Sequence, residues 1–416
     1  WDKHSKWIGL YDTIEYGEAY PITQELKDVN PTFRKAAREM HPKADGPENK
    51  YATGYYLHKE SALEKDRDKI TRAVLRIVGL GYYEASINGK KVGGRKLEPA
   101  ATDYTKTVLY STYDATQHIK SDNEKETIEI DLTLAGGWYF PGTPDLFGFE
   151  RAEWFAPPKC RAELEIIYSD GTMEYLGTDD SWEVTSQGPI RFSSVRGGEI
   201  YDATMELGRR KKENSKDSDP ELWESARVVE APKGELRSQQ MPPIRELSTI
   251  EPCSSTELED EKIVYKFPEN VAGWVKVEVK GKKGQQIKIK LNERLLENGE
   301  VDMEKLSGHT YGDLFQTLKY TCSGKEPFES WEPMFCYQGF RFVQVEGIAK
   351  ENILSIEAKR VATDFPRKGK FSCSSPLVNQ IEEVSCRTFL NGYHSYPEDC
   401  PQREKAGWTE DAALSL

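Results

Sequence analysis

Two β-sandwich modules followed by a helical segment are the fold class this sequence predicts, and three observations predict it. Residues 72–182 consist almost entirely of short β-branched and aromatic runs separated by turn residues. A second region of the same kind begins near residue 245, and helical spacing of apolar residues first appears near 375. Strands at regular spacing with turns between them indicate sandwiches rather than alternating β and α units.

The elements follow in order. Ala73–Gly79 is a strand, and Tyr82–Ile87 leads into Asn88-Gly89, a pair suited to the positive φ of a tight hairpin turn. Residues 127–132 alternate with period two, as do residues 163–168, which Ser169-Asp170-Gly171 closes. The apolar-free stretch 208–220 is a loop or linker, and its four adjacent cations are neutralised by the acids that follow. In the second module, residues 274–281, 286–291 and 340–347 alternate so regularly that each strand buries one face and wets the other. Near 375, Ser375 is expected to cap a helix with Pro376 at its first position. Leu377, Ile381, Val384 and Phe389 line one face, and Asn391-Gly392 stops it. A single helix cannot bury that face, so the segment reads as the front part of a larger helical domain. The expected domains are 1–238, carrying the loop 208–220, then 239–366, then 367–416.

Composition narrows the function. At 416 residues and 37% hydrophobic content the chain is long and apolar enough for several cores, not a disordered chain. Its 57 basic and 70 acidic residues leave a net charge of −13, which argues against nucleic acid or an anionic membrane as partner. No run reaches the roughly 18 apolar residues of a membrane span. Seven cysteines lie at unpaired spacings, and neither Cys-x-x-Cys nor His-x-x-x-His occurs, so no disulfide framework or structural zinc is expected. The start at Trp1 reads as a processed or trimmed product. A periplasmic or extracellular location is expected, with the cytoplasm left open.

The chemistry concentrates between residues 399 and 411. Asp399, Glu404, Glu410 and Asp411 share that span with Arg403, Lys405 and Trp408. Carboxylates can protonate a glycosidic oxygen or activate water. A guanidinium can hold hydroxyls or orient a carboxylate, and an indole offers an apolar face to a sugar ring. Such a run can also be a plain solvated loop.

Asp-Cys-Pro-Gln-Arg-Glu-Lys-Ala-Gly-Trp-Thr-Glu-Asp-Ala, residues 399–412, closely resembles the signature of bacterial α-L-rhamnosidases, glycoside hydrolase family 78. Further stretches are similar to the same family: residues 79–90 with Pro99 and 102–104, Tyr113-Asp114, residues 137–139, 333–342 and 371–375. The resemblance implies an amino-terminal jelly-roll module, a second sandwich and the start of an (α/α)6 catalytic barrel, incomplete in this chain. It also implies inverting hydrolysis of terminal α-L-rhamnose from an oligosaccharide, polysaccharide or glycoside.

The signature departs from the commonest family form, which has Asp-Glu-Arg-Leu where this chain has only Glu404-Lys405-Ala406. Counting back from Gly407-Trp408 puts Glu404 on the family's general acid, whereas counting forward from Asp399 puts Lys405 there. A lysine stays protonated near neutral pH and is a poor partner for a departing oxygen, which selects Glu404. A plain surface carboxylate paired with Arg403 or Lys405 is its competing role. The resemblance places the general base beyond residue 416, so residues 1–416 alone are expected to be inactive.

Asp399 and Asp411 resemble sugar-hydroxyl ligands, with helix capping as the alternative. Trp408 is expected to stack on the sugar or to lie in a core. Arg403 joins the binding residues, orienting Glu404 or Asp399 or forming a structural ion pair. Cys400 reads as a packing residue. Trp138, Tyr139, Phe140 and Trp154 either pack a core or bind saccharide. No cofactor is required; a calcium ion in the first module is left open, as is the oligomeric state. The remaining alternatives are a non-catalytic carbohydrate-binding protein and a barrel glycosidase for another sugar.

Overall fold

A computed structural model describes residues 4–13, 52–121, 127–143, 147–149, 152–207, 222–303, 314–408 and 410. The predicted loop 208–220 and Asp411 lie outside them.

The first module is two sheets packed face to face. One runs in the order Arg227–Val228, Ile8–Gly9, Lys159–Tyr168, Ile70–Leu80, Thr107–Asp114, Glu235–Ser238, with Met173–Gly177 also paired to Lys159–Tyr168. The other runs Glu224–Ser225, Glu183–Thr185, Tyr55–Ala62, Thr127–Ala135, Tyr82–Ile87, Lys90–Lys91. Alternation explains the layering. Along Thr127–Ala135 every second residue is buried, and Ile128, Ile130, Leu132 and Leu134 meet Leu75, Ile77, Leu164 and Ile166 of the opposite sheet in one core. The Asn88-Gly89 turn forms as predicted, with φ of 52° and 73°. Asn88 also ties the hairpin down: its amide donates to the His118 carbonyl at 3.0 Å and its oxygen accepts from Glu129 N at 3.1 Å.

The second module turns on one long strand, Lys262–Val279. Its register shifts between Lys266 and Val271, around Pro268, which cannot donate to a ladder. Gln338–Glu346 pairs with it on both sides of the shift, Ser254–Leu258 only before it, and Glu329–Trp331 and Ile353–Thr363 only after it. Changing neighbours in mid-strand folds one hydrogen-bonded network into two layers. Ile263, Val275, Val277, Ile289, Val345 and Ile356 fill the space between them.

A feature invisible in the periodicity joins the modules. The hairpin Ile190–Ser194 and Gly198–Asp202 belongs in sequence to the first module, yet it extends the sheet of the second by parallel pairing with Thr317–Thr321. Glu199 on this hairpin is wholly buried. Its carboxylate accepts three backbone N–H contacts at 3.2 Å, two from Met334 and one from Phe335.

The predicted helix spans Pro376–Asn391 and ends at Gly392. Ser375 precedes it, but its hydroxyl makes no capping bond. The amide of Asn379 instead binds Cys373 through both its N–H and carbonyl at 2.9 Å. Leu377, Ile381 and Val384 are 65%, 56% and 51% exposed, so the apolar face is bare. Polar contacts and one aromatic cluster hold the helix: Glu269 of the second module pairs with Arg387, Asn391 donates to Asn270 O at 3.0 Å, and the Phe389 ring lies 5.8 Å from that of Phe365 and 5.4 Å from that of Tyr393. Among the described residues no helix is long and apolar enough to cross a membrane.

Candidate active site

The chain leaves the helix at Gly392 and folds back onto the second module. Thr363 N donates to Tyr393 O at 2.9 Å, and Ser395 N donates to the Thr363 hydroxyl at 2.8 Å. The motif then closes into a loop. Asp399 N donates to Ala406 O at 3.0 Å, while Asp399 Oδ1 accepts from Ala406 N at 3.1 Å. Lys405 N donates to Cys400 O at 3.1 Å inside it. The loop lies flat on the strand Gln338–Glu346 because Gly339 carries no side chain. A Cβ there would stand 3.0 Å from both Gln402 N and Pro401 Cγ.

Lys405 is the residue the sequence presents least accurately. It has a φ of 51°, and its side chain turns inward until only 1% of the residue is exposed. The ammonium donates to the carbonyls of Val195 and Tyr337 and sits 4.1 Å from the centre of the Tyr337 ring. Burial pushes it down to about 7, with Glu398 the strongest group acting the other way. Lys405 is no candidate acid, since its nitrogen is sealed away from any substrate.

Around that nitrogen runs a polar chain that the sequence did not disclose. The Tyr337 hydroxyl donates to Glu398 Oε1, and Glu398 Oε2 lies 3.1 Å from His394 Nδ1. His394 Nε2 donates to Val361 O at 2.7 Å, and the imidazole stacks on Tyr337 with ring centres 3.9 Å apart. Every buried polar group in this chain has a partner, so the chain is rigid rather than costly.

Glu404 faces the other way. Its backbone carbonyl accepts from Arg196 Nε at 3.0 Å and Nη2 at 2.7 Å. Arg196, from the turn of the shared hairpin, is itself buried and lies 4.8 Å from the ring centre of Trp138. The Glu404 carboxylate accepts from the Trp408 indole N–H at 3.1 Å. Trp408 is 50% exposed.

The other predicted residues divide. Asp399 is half-buried, and its carboxylate holds the loop through Ala406 N and the Cys400 thiol at 2.9 Å. Arg403 shares the loop, but among the described residues it forms no ion pair with Glu404 or Asp399. The nearest strong influence on it is the Cys400 thiol. Cys400 is buried and pushed up to about 11 by its surroundings, as a packing residue would be. Trp138, Tyr139 and Phe140 are buried, each in a different core, and Trp154 packs against the one that holds Tyr139. Among the described residues no group of three or more His, Cys, Asp or Glu is placed to hold a metal ion.

Three family models match in chain order. The α-L-rhamnosidase N-terminal domain matches residues 68–248. The bacterial α-L-rhamnosidase concanavalin-like domain matches 256–362, and the bacterial α-L-rhamnosidase six-hairpin glycosidase domain matches 366–416. An α-L-rhamnosidase of Formosa agariphila is 35% identical over 99% of this chain and 43% of its own length. The structure of an α-L-rhamnosidase from Dictyoglumus thermophilum superposes with a TM-score of 0.80 at 33% identity, covering 99% of this chain and 42% of that one. A Streptomyces avermitilis α-L-rhamnosidase complexed with L-rhamnose gives a TM-score of 0.76 at 29% identity, over 86% of this chain and 33% of that one. The chain thus spans less than half the length of these relatives.

Proposed function

The chain belongs to the bacterial α-L-rhamnosidases, glycoside hydrolase family 78, and from that premise we propose that it serves the hydrolysis of terminal α-L-rhamnose from rhamnosides. Glu404 is the general acid that protonates the departing glycosidic oxygen. The observation that carries this reading is the contrast between two neighbours: Lys405 is sealed inside, while Glu404 is only half-buried and its carboxylate meets the exposed indole of Trp408. The indole N–H steadies the carboxylate, and the ring face suits the apolar side of the sugar or its methyl group. Asp399, whose second oxygen meets a weak thiol donor, and Asp411 accept sugar hydroxyls. Arg403 contributes a guanidinium to the same pocket wall.

The reaction inverts configuration. A second carboxylate, roughly 6.5–9.5 Å from the acid, activates water on the opposite face of the ring. No cofactor takes part. The helix Pro376–Asn391 is read as the first helix of an (α/α)6 barrel. Support comes from its bare apolar face and from the six-hairpin glycosidase match over residues 366–416.

The test is hydrolysis of chromogenic α-L-rhamnosides by the full-length enzyme and its Glu404→Gln variant. The variant is expected to lose about 10²–10⁴-fold in kcat on substrates with poor leaving groups. Turnover near that of the wild type removes Glu404 from the role, and activity confined to another glycoside removes rhamnose.

A further inference from the structure

The peptide that carries Glu404 is gripped from three directions by side chains that themselves stay clear of the proposed substrate face. Arg196 holds the carbonyl of Glu404 with two N–H groups. Lys405 plugs its ammonium into the socket made by the Val195 and Tyr337 carbonyls. The Tyr396 hydroxyl donates to the Lys405 carbonyl at 2.8 Å. The three gripping side chains come from different parts of the chain: the hairpin turn of the first module, the stretch between the helix and the motif, and the motif itself.

We propose that Lys405, Arg196 and Tyr396 are positioning residues for the acid, acting through Glu404 by fixing the backbone from which its carboxylate projects. The inference rests on the reading of Glu404 as general acid. Burying an ammonium is costly unless it is fully hydrogen-bonded, and an apolar residue in its place would leave two carbonyls without a partner. A lysine is also the residue long enough to cross from the loop to both carbonyls while its neighbour faces solvent. Arg196 cannot rotate freely either, because aromatic rings of Trp138 and Phe149 lie 4.8 and 5.4 Å from its guanidinium carbon. A displacement of the acid on the order of 1 Å lowers turnover about 10²-fold. Anchors this rigid, one residue away, prevent it.

The experiment measures kcat and KM of the full-length enzyme on aryl α-L-rhamnosides whose phenols span a wide range of acidity. Loss of acid catalysis hurts poor leaving groups and spares activated ones, so Glu404→Gln sets the reference pattern. Lys405→Met and Tyr396→Phe are expected to reproduce that pattern in weaker form, with kcat down by roughly 10–100-fold on the poorest leaving group. KM is expected to stay within about twofold, and neither substitution should cost more in the Glu404→Gln background. Tyr396→Phe removes one hydroxyl and keeps its ring, so it reads out even where Lys405→Met does not fold.

If both variants lose activity equally on every aglycone, or if their losses multiply with that of Glu404→Gln, the positioning role is overturned while the acid assignment stands. A fully active Glu404→Gln protein overturns the acid assignment and the positioning role with it.

Discussion

Replacing Glu199 with Gln should change how the stability of this protein depends on pH. Glu199 is wholly buried, and burial pushes its carboxyl from 4.5 up to about 8, with backbone N–H bonds from Met334 and Phe335 acting against the rise. Between those values the unfolded chain has released the proton and the folded chain keeps it. The folded state then binds more protons, so stability falls as pH rises from about 4.5 and levels off above about 8. At about 1.4 kcal/mol per tenfold change in proton affinity, a carboxyl moved from 4.5 to about 8 takes away ~4 kcal/mol between pH 5 and 9. Gln keeps an acceptor for the two N–H groups and cannot titrate. Denaturant unfolding of wild type and Glu199→Gln at pH 5 and pH 9 isolates the effect, because all other titrating groups cancel in the difference. Relative to wild type, the variant should gain stability at pH 9 by roughly 4 kcal/mol more than at pH 5. Parallel pH dependences for the two proteins would refute the reasoning.

Gly273→Ala tests the long strand: at φ of +147° an added Cβ would stand 2.0 Å from the Lys359 carbonyl, so one of the two strands must move. A loss of about 3 kcal/mol or more in thermal or denaturant unfolding is expected, and a change under about 0.5 kcal/mol contradicts it. Trp408→Phe keeps a ring for stacking and removes the N–H that reaches Glu404 at 3.1 Å. Its kcat on poor leaving groups should fall by roughly three- to tenfold, the worth of about one hydrogen bond to a charged group, while unfolding stays unchanged because the residue is half exposed.

The β architecture was legible because burial in a sandwich writes itself into the sequence with period two. Thr127–Ala135 and Gln286–Asn292 show that pattern in sequence and in structure alike. The helix at 376–391 was legible from spacing, though its capping was not, because side-chain choices between Ser375 and Asn379 depend on how the preceding backbone turns. The exchange of the 190–202 hairpin left no local trace: a strand buries alternate residues whichever sheet it joins. The surroundings of the motif were least legible. Lys405 reads as a surface cation because the positive φ that turns it inward depends on contacts with Val195 and Tyr337, respectively 210 and 68 positions away in the chain. His394 and Glu398 stand four apart in sequence, a spacing common to many unrelated pairs, and only Tyr337 makes them one network.

The shared hairpin has a consequence for how this protein can be cut and recombined. A cut between residues 238 and 239, where composition suggests a seam, leaves Ile190–Ser194 and Gly198–Asp202 on one piece and the strand Thr317–Thr321 they extend on the other. The amino-terminal piece would carry an unpaired ribbon with the Glu199 carboxyl stripped of its N–H donors, and the other would show an open sheet edge ready to capture foreign strands. The two β modules therefore share one sheet across the seam. Exchanging either for a relative's requires carrying the hairpin's partner along with it.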